Sequence, residues 1–202
     1  MITIIDYGVG NLYSLRCSFS AIGEDISISN DEGDIRRSDK LVLPGVGAFP
    51  DAVAMLKKDG LYDVVIDEAQ KGKKILGVCL GMQMLFEKSY EFGETEGLGL
   101  LKGEVIPMKG NIPEGLKIPH MGWNALDIKK DNELMKYTQN GDHVYFVHSF
   151  YADKCEDSLV ASTEYGIPIT AAVAKDNIYG CQFHPEKSGK VGLAILKAFC
   201  EA

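Results

Sequence analysis

Residues Ile75–Gln83 read ILGVCLGMQ, an apolar run that leads directly into a helix-like segment. The run has the pattern of a buried strand, and the turn fits Gly-x-Cys-x-Gly, the cysteine counterpart of the Gly-x-Ser-x-Gly nucleophile elbow. Glycine is needed on both sides of Cys79, because side chains at Gly77 and Gly81 would collide with neighbouring elements in so tight a turn. The stretch therefore predicts a strand, a strained turn and a helix in direct succession.

The first half of the chain alternates short apolar runs with helix-like segments. Apolar residues recur there at the three- and four-residue intervals of a helix with one buried face: Leu12, Leu15, Phe19 and Ile22, and again Val78, Met82, Leu85 and Phe86. We predict strands at Ile2–Asp6, Lys40–Leu43 and Lys74–Val78, and helices at Asn11–Ile22, Phe49–Leu56, Leu61–Gln70 and Gly81–Lys88. This alternation predicts an α/β fold with a mostly parallel sheet flanked by helices.

The pattern changes after about residue 97, where short strand-like runs are separated by Gly, Pro and Asn. The predicted strands are Glu104–Met108, Ala125–Ile128, His143–Val147, Leu159–Thr163, Thr170–Ala174 and Ile178–Gln182, and a last helix is predicted at Lys190–Glu201. Closely spaced strands favour antiparallel pairing. No repeat or long linker divides the sequence, so we expect one domain over residues 1–202.

The composition argues against several kinds of partner. With 21 basic and 29 acidic residues the net charge is −8, which opposes binding to nucleic acid. No apolar run reaches the roughly 18–20 residues that span a bilayer, and no basic n-region precedes an apolar segment, so we expect no membrane association and a cytoplasmic location. The five cysteines form no CxxC pair, which disfavours a disulfide framework or a structural zinc site.

Cys79 is the candidate nucleophile, because a helix N-terminus favours a thiolate. The stretch Phe183–Glu186 supplies a candidate base: in extended chain His184 and Glu186 point to the same side, so the carboxylate can orient the imidazole. The alternatives are a buried cysteine in a Gly-flanked turn and a structural His-Pro-Glu turn. A metal pair is less favoured, because no third ligand lies nearby at the usual spacing.

A third motif, Pro44-Gly45-Val46-Gly47, follows an apolar strand. Acyl transfer creates an oxyanion that needs two backbone N–H donors. Leu80 would supply one of them, and Val46 or Gly47 the other. Taken alone, such a motif is more often a simple turn.

Together, these three motifs resemble the class I (triad) glutamine amidotransferases, and the resemblance covers essentially the whole chain. Four further stretches resemble the glutaminase subunits of imidazole glycerol phosphate synthases: Asp6–Leu12, Pro119–Asn124, Tyr145–Ser149 and His184–Ser188. The resemblance implies a flavodoxin-like fold and hydrolysis of L-glutamine to glutamate and ammonia, without a metal or cofactor. Cys79 would attack the amide, His184 would carry the proton and Glu186 would orient His184.

The resemblance also assigns binding residues and a partner. It implies an oxyanion hole at Val46 and Leu80, and glutamine contacts at Gly45, Gly47, Gln83, His148 and Ser149. Ammonia would pass to a (β/α)8-barrel cyclase subunit in a heterodimer of histidine biosynthesis, and the isolated subunit would be almost inactive. The implied partner-facing residues are Asn11, Met121, Trp123 and Lys187. Burial of Trp123 in the core of the chain is an open alternative.

Other functions stay open at this point. A closely related glutaminase would supply ammonia to a different synthase, such as one of surface-sugar biosynthesis. A non-catalytic binding module on this fold, or a cysteine peptidase, is disfavoured by the complete triad and by Gln83. We expect the acidic stretch Tyr90–Glu96 to be a solvated loop and Cys181 to be packed in the core.

Overall fold

The computed structural model describes all 202 residues. Its α-helices are α1 Leu12–Ala21, α2 Glu32–Arg37, α3 Phe49–Lys58, α4 Leu61–Gln70, α5 Leu80–Met84 and α6 Gly189–Glu201, with 3₁₀ turns at Glu133–Met135 and Pro185–Lys187. Its strands are β1 Ile2–Ile5, β2 Ile26–Ser29, β3 Lys40–Leu43, β4 Lys74–Val78, β5 Phe86–Ser89, β6 Thr95–Glu96, β7 Leu101–Pro107, β8 His120–Ala125, β9 Asp127–Ile128, β10 His143–His148, β11 Phe150–Asp153, β12 Leu159–Glu164, β13 Pro168–Lys175 and β14 Ile178–Cys181. None of the helices has the length and apolarity needed to cross a membrane.

An eight-stranded sheet in the order β2-β1-β3-β4-β14-β13-β12-β9 forms the centre of the fold. Strands β2, β1, β3, β4 and β14 are parallel, whereas β13, β12 and β9 are antiparallel to their neighbours. The predicted α/β class is confirmed. Antiparallel pairing in the second half has two exceptions: β7 pairs in parallel with β5, and β14 pairs in parallel with β4, which places Cys181 beside Val78. This pairing brings the segments that follow β4 and β14 together.

Two apolar layers cover the two faces of this sheet. Alternate residues of β1 show the division, because Ile4 packs into one layer and Ile5 into the other. Leu15 and Phe19 of α1 are buried as predicted, and each such side chain contributes roughly 1.5–3 kcal/mol relative to exposure. The helices therefore hold the parallel strands from both sides and fix the position of their ends.

The predicted helix Gly81–Lys88 is wrong in its second half. Helix α5 ends at Met84, and Phe86–Ser89 forms β5, which pairs with β6 and β7. The apolar spacing misled the prediction because Leu85 and Phe86 are fully buried, but as part of a turn and a strand instead of a helix face. Strands β2, β6 and β11, most of β8 and helix α2 were not predicted from the sequence. The predicted strand Ala125–Ile128 is divided at Leu126 between β8 and β9.

Candidate active site

Cys79 lies at the junction of β4 and α5 in a strained backbone conformation, with φ 56° and ψ −111°. Its N–H donates to the Cys181 carbonyl of the neighbouring strand over 2.8 Å. A Cβ atom on Gly77 would lie 2.7 Å from Met82 Cα, and one on Gly81 would overlap the Leu43 carbonyl oxygen. Both glycines therefore permit the close packing that holds Cys79 at the N-terminus of the helix. Strain of this kind costs about 1–3 kcal/mol and is typical of functional sites.

His184 follows the strand next to the elbow and is buried. Its Nδ1 lies 2.8 Å from Glu186 Oε1, and the Glu186 side chain is 1% exposed. Burial by itself lowers the pKa of His184, but its interactions with the neighbouring Cys79 and Glu186 outweigh this effect and raise the pKa to about 10. Since Nδ1 is engaged with Glu186, Nε2 is the nitrogen left for the thiol. The site therefore favours an imidazolium beside Cys79.

The Pro44–Gly47 turn packs directly on the elbow. A Cβ atom on Gly45 would lie 2.7 Å from Gly81 N and 2.9 Å from Leu80 Cβ, so only glycine fits there. Gly47 has φ +91°, a conformation that glycine adopts at no steric cost. The Val46 side chain is exposed, and its N–H makes no hydrogen bond within the chain. This turn and the first residue of α5 therefore offer free backbone donors in the cavity that Cys79 lines.

A cavity of about 330 Å³ opens above Cys79. Its walls contain most of the predicted site residues: Val46, Gly47, Cys79, Leu80, Gln83, His148, Ser149 and His184. Two predicted residues do not line it, because Gly45 is buried against Leu80 and Gly81 and Glu186 lies behind His184. The volume is in the range of small-molecule sites, which start at about 300 Å³.

Glu91 also lines this cavity, although it was not predicted as a site residue. It lies in the stretch Tyr90–Glu96, which was predicted to be a solvated loop. Glu94 and Glu96 are exposed, but Glu91 is half-buried and its Oε2 accepts the Phe49 N–H over 2.7 Å. Desolvation raises the pKa of Glu91, although this hydrogen bond opposes the shift. The prediction of a wholly solvated loop is therefore wrong, because Glu91 contributes a carboxylate to the cavity.

His148 lines the cavity as a neutral imidazole. Its Nδ1 donates to the Phe150 carbonyl over 2.8 Å, and its Nε2 lies 3.0 Å from His120 Nδ1. Burial lowers the pKa of His148 to about 3. His148 therefore does not carry charge at neutral pH, and it is unsuited to act as a second proton carrier beside His184.

Three of the four predicted partner-facing residues lie on one face. Met121 and Trp123 project from β8 and are 61% and 54% exposed, so Trp123 is not buried in the core. The Trp123 and Tyr145 rings lie edge to face at 6.1 Å, and Lys187 Nζ lies 5.9 Å from the Tyr145 ring centre. The fourth, Asn11, caps α1 by accepting the Ser14 N–H over 3.4 Å. Cys181 is fully buried in β14, as predicted.

Comparison with known proteins identifies the family. The family profile described as "Glutamine amidotransferase class-I" matches residues 3–202, and the chain belongs to this family. Among solved structures, "Crystal structure of glutamine amidotransferase" has a TM-score of 0.77 at 16% identity and covers 99% of this chain and 97% of that one. "Structure of PurLQS from Thermotoga maritima" has a TM-score of 0.76 at 20% identity, with the same coverage. These two similarities concern the fold alone.

Curated relatives narrow the identification. "Imidazole glycerol phosphate synthase subunit HisH" of Caldanaerobacter subterraneus subsp. tengcongensis is 54% identical over 202 residues, covering 100% of this chain and 98% of that protein. The protein of the same name from Lactococcus lactis is 53% identical over 201 residues, covering 99% and 98%. Within the class, the chain is thus a member of the HisH family. The resemblance drawn from the motifs is confirmed, and the non-catalytic module and the peptidase are set aside.

Proposed function

We propose that this chain hydrolyses L-glutamine as the glutaminase subunit of an imidazole glycerol phosphate synthase. The observation that carries the proposal is the strained Cys79, which lines a cavity of about 330 Å³ together with a His184 that is itself paired with a buried Glu186. Membership of the HisH family supports the same activity.

The triad geometry supports a two-step reaction. Cys79 Sγ attacks the side-chain carbonyl carbon of glutamine after its proton has passed to His184. His184 then returns that proton to the leaving amide nitrogen, so the C–N bond breaks and ammonia leaves a glutamyl thioester. A water molecule, deprotonated by His184, adds to the thioester; the C–S bond breaks, glutamate is released and the thiol regains its proton. Glu186 holds His184 in the orientation that both transfers need.

The oxyanion of each step needs two N–H donors. Leu80 supplies one donor, because its N–H directly follows the nucleophile at the start of α5. Val46 supplies the other, since its N–H has no partner in the chain and Gly45 and Gly47 allow its peptide to turn. In the proposed gating, this peptide adopts the donating orientation when the partner and its nucleotide bind.

The α-ammonium group of the substrate glutamine needs a partner of opposite charge. Glu91 is the one carboxylate that lines the cavity, and it pairs with the α-ammonium group. The remainder of the substrate contacts Gln83, Ser149, Gly47 and the backbone near His148, while Gly45 packs the turn against the start of α5. Because Glu91 is already fixed by the Phe49 N–H, little conformational freedom is lost on binding.

The proposed partner is a (β/α)8-barrel cyclase, with which the chain forms a heterodimer in histidine biosynthesis. Trp123 and Met121 are large apolar side chains on an exposed strand, the kind of residue that anchors an interface. Lys187 and Asn11 complete the proposed contact surface. The expected location is the cytoplasm, and no metal or cofactor takes part in the proposed reaction.

One experiment tests activity and partner together. The purified chain is mixed with the candidate cyclase of its genome and the ribonucleotide intermediate, and glutamate release is measured, with Cys79→Ala as control. Stimulation that the variant lacks supports both proposals. Stimulation only by another synthase, such as one of surface-sugar biosynthesis, contradicts the partner and keeps the chemistry. Glutamate release by Cys79→Ala overturns the mechanism.

A further inference from the structure

Gln182 is a fully buried polar residue with no role so far in the site. It follows β14 directly and lies two residues before His184. Its Nε2 atom lies 3.7 Å from Cys79 Sγ, within the range of a hydrogen bond to sulfur. A carboxamide this close to the nucleophile changes the chemistry of the sulfur only if its N–H end faces the sulfur, so the orientation of the amide decides its role.

Hydrogen-bond counting fixes that orientation. The Phe150 carbonyl oxygen can only accept, and it lies 3.0 Å from the Gln83 amide nitrogen, so Gln83 must present its NH₂ group there. The second N–H of the same group donates to Gln182 Oε1 over 2.9 Å. Because the oxygen of Gln182 is thus engaged, its NH₂ group faces Cys79. The assignment rests on a main-chain acceptor and not on an arbitrary choice of amide flip.

The Phe150 carbonyl oxygen, at which this series of hydrogen bonds begins, has a second hydrogen-bond partner. The Phe150 oxygen also accepts the Nδ1–H of His148, whose other ring nitrogen lies 3.0 Å from His120. His120 is stacked between the rings of Phe146 at 4.8 Å and Tyr165 at 4.0 Å. The hydrogen bond from Gln83 therefore holds the oxygen end of Gln182, and the N–H end faces the sulfur.

We propose that Gln182 is a catalytic residue of this site, which donates a hydrogen bond to the Cys79 sulfur and stabilises the thiolate together with His184. The proposal rests on the role of Cys79 as nucleophile. A hydrogen bond to a charged acceptor is roughly twice as strong as one to a neutral acceptor, so the donor favours the thiolate over the thiol. The thiolate forms before attack and again when the thioester breaks, so the donor assists both halves of the reaction.

Other groups near the sulfur must stay constant in a test. The titratable side chains around Cys79 are His184, Glu186, His148, Tyr7 and Cys181, together with Glu91 on the cavity wall. Substitution of Gln182 leaves all six in the chain. A change in the reactivity of Cys79 then reports the lost donor, provided that any added charge is controlled.

Two variants separate the donor from the charge. Gln182→Glu keeps an oxygen to accept from Gln83 but has no N–H for the sulfur. Gln182→Met removes the donor without adding charge, and Gln70→Met on the exposed surface of α4 is the matched control. The measurement is the rate of alkylation of Cys79 by iodoacetamide against pH, resolved by mass spectrometry, with the exposed Cys17 as internal reference.

Loss of the donor is expected to slow Cys79 alkylation about tenfold at neutral pH and to move its profile to higher pH, with Cys17 unchanged. The glutamate variant should be slowed at least as much, because a carboxylate repels the thiolate. If either folded variant keeps the wild-type profile, the proposal is overturned, and the glutamate variant decides if the methionine variant does not fold. This result is independent of glutamine turnover: if Cys79→Ala still hydrolyses glutamine, the proposed function fails and not the contact.

Discussion

Replacing Glu186 by glutamine tests the electrostatic part of the triad, because the side chain keeps its shape and loses its charge. Glu186 Oε1 lies 2.8 Å from His184 Nδ1 in a buried setting. A hydrogen bond between charged groups contributes about 1.5–3 kcal/mol, and a neutral one about 0.5–1.5 kcal/mol. The midpoints of these ranges differ by about 1.2 kcal/mol, which corresponds to a roughly eightfold lower kcat for glutamine hydrolysis.

Because of the raised pKa of His184, the effect of Glu186→Gln on stability should depend on pH. The value of about 10 lies above the unfolded value of about 6.5, so the protonated ring stabilises the folded chain fully below the unfolded pKa. That contribution is lost as pH rises through about 10. Removing the carboxylate lowers the pKa of His184 and shrinks the contribution. The melting-temperature difference between wild type and Glu186→Gln should therefore be largest near pH 6 and vanish above about pH 10.

Two assays test whether Glu186 is the charged partner of His184. Glutamate release by the assembled enzyme gives kcat, and thermal unfolding of the isolated chain between pH 6 and about pH 10 gives the stability difference. The matched control is Glu94→Gln, which changes an exposed carboxylate in the loop before β6 and should leave kcat unchanged. An unchanged kcat in Glu186→Gln, or a stability difference that grows with pH, would refute the assignment of Glu186 as the charged partner of His184.

Three further predictions concern the elbow, the substrate and the partner surface. Gly81→Ala should destabilise the fold by about 1–3 kcal/mol, because its Cβ would overlap the Leu43 oxygen; an unchanged urea midpoint contradicts this. Glu91→Gln should raise KM for glutamine about tenfold with a smaller change in kcat, and an unaltered KM argues against an α-ammonium contact. Trp123→Ala should weaken cyclase binding at least about thirtyfold in calorimetry without lowering Tm, whereas a lower Tm with normal binding would make Trp123 a packing residue.

The parts of the site that lie within one local segment are the parts that the sequence predicts. The Gly-x-Cys-x-Gly turn requires glycine for steric reasons that act within a few residues of Cys79, apart from the contact of Gly81 with Leu43. The pairing of His184 with Glu186 likewise needs only two residues of extended chain. Such signals are independent of how the rest of the chain folds, and for this reason they can be interpreted without a structure.

The contacts that escaped prediction depend on distant pairings. Glu91 reaches the cavity because the chain forms β5 after Met84 and because Phe49, 42 residues earlier, offers an N–H to its carboxylate. Gln182 meets Gln83 across a separation of 99 residues. Apolar periodicity gives no information about either contact, since the same spacing at Leu85 and Phe86 fits a helix and a turn followed by a strand equally well.

The register of the sheet explains why three weak signals form one site. Strands β3, β4 and β14 are adjacent and parallel, so their carboxyl ends meet at the same edge. The segment after β3 is the Pro44–Gly47 turn, the segment after β4 begins with Cys79, and the segment after β14 contains Gln182 and His184. Ligands of open α/β sheets bind at this edge. Each of these strands is followed by one component of the site. A change in the pairing of β4 with β14 would separate His184 and Gln182 from Cys79, so the proposed chemistry depends on the parallel pairing of β14 with β4.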